Sequence, residues 1–111
     1  MESLKKNRDF KKVYDHRRSV ANRLLALYVR ENDCKVNRLG VSVSRKVGKA
    51  VVRNRIKRVI KEHVRLREDA IAIGFDFIVV VRAAAALPIG EDYKRIGKSL
   101  FDLLNRQKVL V

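Results

Sequence analysis

The run VGKAVVRNRIKRVIKEHVRLR, from Val47 to Arg67, sets apolar residues among positive charges at a helical spacing. On a wheel of about 100° per residue, Val52, Ile56, Val59, Ile60 and Leu66 fall in one arc. His63 lies near the middle of that arc and Val64 just outside it. Asn54, Lys57, Arg58, Lys61 and Arg65 fill the opposite arc. The pattern predicts one amphipathic helix from about residue 48 to 67, opened by Gly48. Arg53 and Arg55 fall roughly 200° apart, on the two margins of the apolar arc. Each can lay its aliphatic stem along the core edge and extend its guanidinium outward, so the pair reaches different anionic groups rather than one. Asn54 stands between them on the outer face.

Charge decides what this helix meets. Residues 45–67 hold ten Lys and Arg and one acid, Glu62, and so carry +9 of the chain's formal +15. A solvated helix normally mixes signs to gain i,i+4 pairs, and this one forgoes almost all of them. A field of one sign opposes compaction unless an anionic partner answers it. Arginine's planar fork suits phosphate oxygens, and a basic footprint of this kind fits a nucleic-acid backbone. An anionic membrane is the weaker candidate, because the helix buries an ordinary apolar face and offers no Trp or Phe for insertion. The expected partner is RNA or DNA, with affinity that falls steeply with salt.

Outward from the helix, the 111 residues fit a single domain, residues 1–111, with no internal repeat and no Pro/Gly linker. No apolar run approaches the roughly 20 residues that span a bilayer. The start, MESLKKNRDFKK, has no apolar segment of a secretory signal, and the single Cys34 is compatible with a reducing compartment. Lys6, Phe10, Val13 and Tyr14 mark a short first helix. Residues 23–30 alternate as a strand, with Leu25, Leu27 and Val29 on one face and Ala26, Tyr28 and Arg30 on the other. Leu39 to Ser44 is a second strand, and across the polar loop 31–37 the natural pairing is an antiparallel hairpin. Phe75 to Val81 reads as a strand buried on both faces. After Pro88 and Gly90, Glu91 and Asp92 open a last helix. Its expected inner face is Tyr93, Ile96, Gly97, Leu100, Phe101 and Leu104. The order α-β-β-α-β-α makes an α+β fold, a two-layer α/β sandwich with one sheet.

The aromatic residues divide in two. Phe75, Phe77, Tyr93 and Phe101 sit in core-like patterns. Phe10 and Tyr14, one helical turn apart, and Tyr28, on the strand face away from Leu27 and Val29, could wall a groove with basic rims in which unpaired bases stack. For Phe10 a small satellite core under the first helix is an equal reading. Catalytic constellations are absent from the pattern. His16, His63 and Cys34 lack metal-ligand spacing, and Gly40, Gly48 and Gly97 form no phosphate loop. His63, on the apolar arc, reads as a partly buried structural histidine.

Two stretches carry a family resemblance. LKKNRDFKKVYDHRRSVANRLLALYV (4–29) followed by LGVSVSRKVGKAVVRNRIKRVIKE (39–62) resembles the protein subunit of bacterial ribonuclease P. The most specific parts are Ser-Val-Ala-Asn-Arg at 19–23 and Lys-Ala-Val-Val-Arg-Asn-Arg-Ile-Lys-Arg at 49–58, and the likeness runs from residue 4 to about 105. It implies a left-handed crossover through strand two, the long helix and strand three, against the usual hand. It implies a role as accessory subunit to a catalytic RNA that removes the 5′ leader of precursor tRNA with Mg2+ held mainly by RNA. The RNA subunit would be bound by Lys46, Lys49, Arg53, Asn54, Arg55, Lys57, Arg58 and Lys61. The single-stranded leader would lie in a cleft lined by Phe10, Tyr14, Asn22, Arg23 and Tyr28. No protein partner, membrane or protein-held metal is implied, and the expected place is the bacterial cytoplasm. Departures are few. Tyr14 stands where phenylalanine is common, Arg17-Arg18 replaces a turn that often holds glycine, and no lysine-rich tail follows Val111. A general or ribosome-associated RNA-binding protein is the alternative.

Overall fold

A strand apolar at six of its seven positions must be covered on both faces, and Phe75–Val81 takes the centre of the sheet accordingly. The computed structural model describes residues 1–111. In chain order the elements are β1 (Glu2–Ser3), α1 (Asn7–Asp15), β2 (Ser19–Ala21), β3 (Leu25–Glu31), β4 (Arg38–Val43), α2 (Ala50–Leu66), β5 (Phe75–Val81) and α3 (Asp92–Arg106). Single 3-10 turns at Glu68–Ala70 and Ala83–Ala85 flank β5. The expected six elements are present, and β1 and β2 add short edges to give a sheet ordered β1-β4-β5-β3-β2.

The expected hairpin between the first two long strands does not form. Instead, β5 lies between them, antiparallel to β3 with Leu25 opposite Val81, and parallel to β4 with Arg38 opposite Asp76. Inserting β5 buries its apolar residues on both faces, which a hairpin would have left at an edge. The connection 32–37 therefore crosses the end of β5, a step of about two strand spacings, or 10 Å. Asn32 shapes that crossing. Its amide donates to Val36 O and to Asp76 Oδ1, and its Oδ1 accepts from Cys34 N–H. Asn37 then accepts from Gly74 and Phe75 N–H, pinning the loop to the start of β5. The β4–α2–β5 segment is a parallel crossover between neighbouring strands.

Alternation sorts the sheet into two faces. Leu25, Leu27, Val29, Phe77, Val79 and Val81 pack under α2 and α3 and form the two-layer sandwich. Ile78 of the opposite face packs with Leu4 and Val13 beneath α1. The buried positions of α2 are Ile56, Val59, Ile60, His63 and Val64, a strict i, i+3, i+4 stripe. Val52 and Leu66, expected inside, are 38% and 58% exposed. Val52 lies in the first turn and packs back on Gly48. Leu66 is the last residue of α2, beyond the buried stripe that ends at Val64.

On α3, Ile96, Leu100, Leu103 and Leu104 are buried as the helical period requires, but Tyr93 and Phe101 are 42% and 46% exposed. These two share a row with Gly97 that faces α2, not the sheet, which corrects their expected place in the core. Gly97 lets the helices approach: a Cβ there would lie 2.4 Å from His63 Cε1 and 2.7 Å from Nε2. Alanine would gain about 1 kcal/mol of helix propensity. Overpacking against a buried ring costs typically about 1–3 kcal/mol, and here the whole ring is in the way. Gly97→Ala should therefore lower the urea midpoint with an unchanged m-value; an equal or higher midpoint would show that His63 yields freely.

Candidate nucleic-acid interface

The basic face of α2 stands as its periodicity requires. Lys46, Lys49, Asn54, Arg58 and Lys61 are exposed, and Arg53, Arg55 and Lys57 are half-buried. None of the five lysines and arginines Lys46, Lys49, Lys57, Arg58 and Lys61 enters an ion pair. Their charge is left for an external anion. The two arginines at the margins differ. Arg53 lies on the buried side of the wheel, and its Nε is enclosed without a partner. Arg55 is committed: Nε and Nη2 donate to Asp92 Oδ2 and Oδ1 at 2.6 and 3.1 Å, locking α2 to the start of α3. The motif thus contains one structural clamp, which the wheel could not reveal because Asp92 lies 37 residues away.

A second surface forms where α1 crosses the other face of the sheet. Phe10 and Tyr14 have ring centroids 6.4 Å apart, and Tyr14 meets Tyr28 of β3 edge-on at 4.8 Å. Phe10 lies directly on Gly40, where a Cβ would come within 2.5 Å of Cζ. The floor beside these rings is small: strand register places Ser42, Val80 and Ala26 in one row, with Ala21 opposite Ala26 at the edge. Tyr14 is half-buried, and burial raises its phenol above the ordinary value while a hydrogen bond with Ser42 opposes the rise. Phe10 packs as the satellite-core reading expects. It covers the small cluster of Leu4, Val13 and Ile78, and it remains half-exposed beside the groove.

The remaining two cleft candidates are placed differently. Asn22 is consumed by structure. Its amide donates to Ser99 O and Asp102 Oδ2, and its Oδ1 accepts from Leu24 N–H, Leu25 N–H and Ser99 Oγ. It fastens the β2–β3 turn to α3 and is not joined to the aromatic trio. Arg23 is exposed on the same turn. Residues missed in the sequence include Gly40 and Ser42, although their period-two spacing in β4 was a legible signal for an uncrowded face. Also missed was the clamp that orients α1. Arg38 donates to both oxygens of Asp76 at 2.8 and 2.7 Å, and reaches Asp9, the neighbour of Phe10, at 3.5 Å.

Comparison with known proteins identifies the family and the fold. The model of the family described as Ribonuclease P matches residues 1–108. A Clostridium botulinum protein named ribonuclease P protein component is 46% identical over 104 residues, which cover 93% of this chain and 91% of that one. Its counterpart from Alkaliphilus oremlandii is 41% identical over 107 residues, covering 96% and 91%. The structure of the Staphylococcus aureus RNase P protein superposes with a TM-score of 0.89 at 37% identity, covering 100% of this chain and 99% of that one. The Thermotoga maritima RNase P protein gives 0.85 at 33% identity, covering 96% and 97%.

The Arg55–Asp92 clamp has a pH signature. The hydrogen bond from Arg55 holds the Asp92 carboxyl below its usual value, helped by the Arg55 charge and the Tyr93 N–H and opposed by desolvation. A carboxyl with a depressed folded pKa stabilises the fold above its unfolded value, about 3.9, and loses that contribution as pH falls through the folded value. Asp92→Asn should therefore be less stable than wild type at pH 6–7. The gap should close below about pH 4 in urea titrations. A gap that stayed constant from pH 7 to 3 would show that the carboxylate charge contributes nothing.

Proposed function

This chain belongs to the ribonuclease P protein family, and from that membership we propose that it binds the enzyme's RNA subunit and the 5′ leader of precursor tRNA on two separate surfaces. It is the protein component of ribonuclease P, an endoribonuclease of tRNA maturation. The RNA subunit is held by the basic face of α2, chiefly Lys46, Lys49, Asn54, Lys57, Arg58 and Lys61, with Arg53 at its margin. Arg55 serves that face through its bond to Asp92. The leader lies on the aromatic surface of Phe10, Tyr14 and Tyr28, with Arg23 near the open end of the sheet. The observation that carries this division is that the rings sit on the sheet face covered by α1, with the sheet between them and the α2–α3 layer.

The protein assists and the RNA performs the chemistry. Positive charge on α2 screens repulsion between catalytic RNA and substrate. The rings stack on unpaired bases in a way that tolerates many sequences, so a complex with the protein tells precursor from mature tRNA. The magnesium ions of the reaction fall to the RNA. The groove offers rings and hydroxyls to a cation that wants carboxylate and water oxygens, and the nearby carboxylates of Asp9 and Asp76 are both met by Arg38. No helix is long and apolar enough to cross a membrane, and a cytoplasmic site of action goes with the tRNA substrate. A ribosome-associated role is disfavoured by the family match.

The two surfaces separate in binding measurements on the reconstituted complex. Phe10→Ala or Tyr28→Ala should weaken precursor tRNA binding about 5- to 150-fold, from stacking worth about 1–3 kcal/mol per base, and leave assembly with the RNA subunit nearly unchanged. Arg58→Ala with Lys61→Ala should weaken assembly and flatten its log–log salt slope by about 0.7–0.9 for each phosphate no longer neutralised. If both classes of variant failed in the same assay to the same degree, the division into two surfaces would be wrong.

A further inference from the structure

Along the seam between α2 and α3, four side chains form a ladder. The Tyr93 ring lies 4.1 Å from the His63 ring, centroid to centroid. Arg67 Nη1 is 3.1 Å from His63 Nδ1, and its guanidinium carbon sits 5.7 Å over the Phe101 ring. The tautomer follows from chemistry. Arginine cannot accept, so Nδ1 accepts from Arg67 and Nε2 carries the proton donated to Tyr93 O at 2.7 Å. Arg67 is thereby fixed over one side of Phe101, with Nε and Nη2 left free, while Phe101 remains nearly half-exposed.

Phe101 also lines a shallow concavity of about 420 Å3 with Arg67, Lys98, Asp102 and Asn105. Asp102 is not a raw negative charge there. Asn22 Nδ2 and Arg106 Nη1 both meet its Oδ2, at 3.1 and 3.5 Å, which leaves Oδ1 as an acceptor beside the exposed Asn105 amide. An aromatic face, two cations and an adjacent acceptor and amide suit an unpaired nucleotide. The ring stacks on the base, Lys98 and the free Arg67 donors meet a phosphate, and Asp102 with Asn105 meets the base edge.

We propose that this concavity is a nucleotide-binding site that takes one unpaired nucleotide of the RNA subunit. The inference rests on the reading of α2 as the RNA-subunit face. Two observations select that source. Tyr93, at the other end of the ladder, lies beside Arg55 and Arg58, so the seam is continuous with the basic face of α2. The leader groove lies across the sheet, on the face covered by α1.

The test uses the full chain with the ribonuclease P RNA subunit at fixed salt, comparing wild type, Phe101→Ala and Phe101→Trp. Phe101→Ala should raise Kd for the RNA subunit at least about fivefold, the lower end of what one base stack is worth. Its salt slope should not change, because stacking releases no counterions. Phe101→Trp should restore Kd to near wild type, which a packing role at a half-exposed position would not require. Binding of a single-stranded leader oligonucleotide should be unaffected. Should Phe101→Ala fail to fold, Asn105→Ala, at an exposed position, should show the same loss of RNA-subunit affinity. An unchanged Kd for the alanine variant, no rescue by tryptophan, or an equal loss of leader binding would overturn the site. Wild-type protein that did not bind the RNA subunit at all would overturn the family-based reading, and this site with it.

Discussion

One ion pair governs how the parts of this molecule meet. Asp76 is the single charged residue in the central strand and is 1% exposed. A carboxylate buried that far would be strongly destabilising without a partner. Arg38, opposite it on β4, meets both oxygens, and Asn32 of the crossing loop adds a third donor. A slip of β5 by one residue would turn Asp76 into the apolar core under α2 and α3, so the pair selects the register as well as satisfying a charge. Arg38 also reaches Asp9 in the first turn of α1. The position of Phe10 on Gly40, and with it the shape of the aromatic groove, follows from that contact.

A second ion pair does the same for the other face. Arg55 and Asp92 join α2 to the N-terminus of α3, where the carboxylate also accepts from the Tyr93 N–H. Gly97 then allows His63 to sit against α3, and the seam closes. Both pairs use one positive charge of a strongly basic chain to neutralise a buried acid. Lys57, Arg58 and Lys61 of α2, with Lys46 and Lys49 just before it, remain as a row of cations outside any ion pair, which is the condition for a salt-sensitive grip on a phosphate backbone.

Much of this was legible because periodicity reports which face a residue is on. It placed Leu25, Leu27 and Val29 inward, Tyr28 outward, and the cations of α2 on one side. It does not report which strand lies next to which, so β3 and β4 were expected as a hairpin although β5 separates them. The apolar content of β5 on both faces was the signal that it needed two neighbours. The helical wheel likewise ranked Val52, Leu66, Tyr93 and Phe101 as core from angle alone. Burial depends on where the neighbouring helix and the sheet end: Val52 and Leu66 lie at the two ends of α2, and Tyr93 and Phe101 lie on the row of α3 that faces α2 rather than the sheet. The polar roles were the least legible. Arg55 with Asp92, Asn22 with Ser99 and Asp102, and Arg38 with Asp76 all join residues distant in sequence, so a motif cannot show which of its members is spent on the fold. The loops gave no such signal for Asn32 or Asn37 either, whose side chains hold the crossing.

The measurement that tests the central claim most directly is photocrosslinking within the assembled complex. A photoreactive base in the 5′ leader of precursor tRNA and, separately, photoreactive bases in the RNA subunit would report the protein peptides they touch. The leader base should mark peptides of α1 and β3 that contain Phe10, Tyr14 or Tyr28, and the RNA-subunit bases should mark residues 45–67. A leader adduct on α2, with none on α1 or β3, would contradict the assignment of the two RNAs to opposite faces of the sheet.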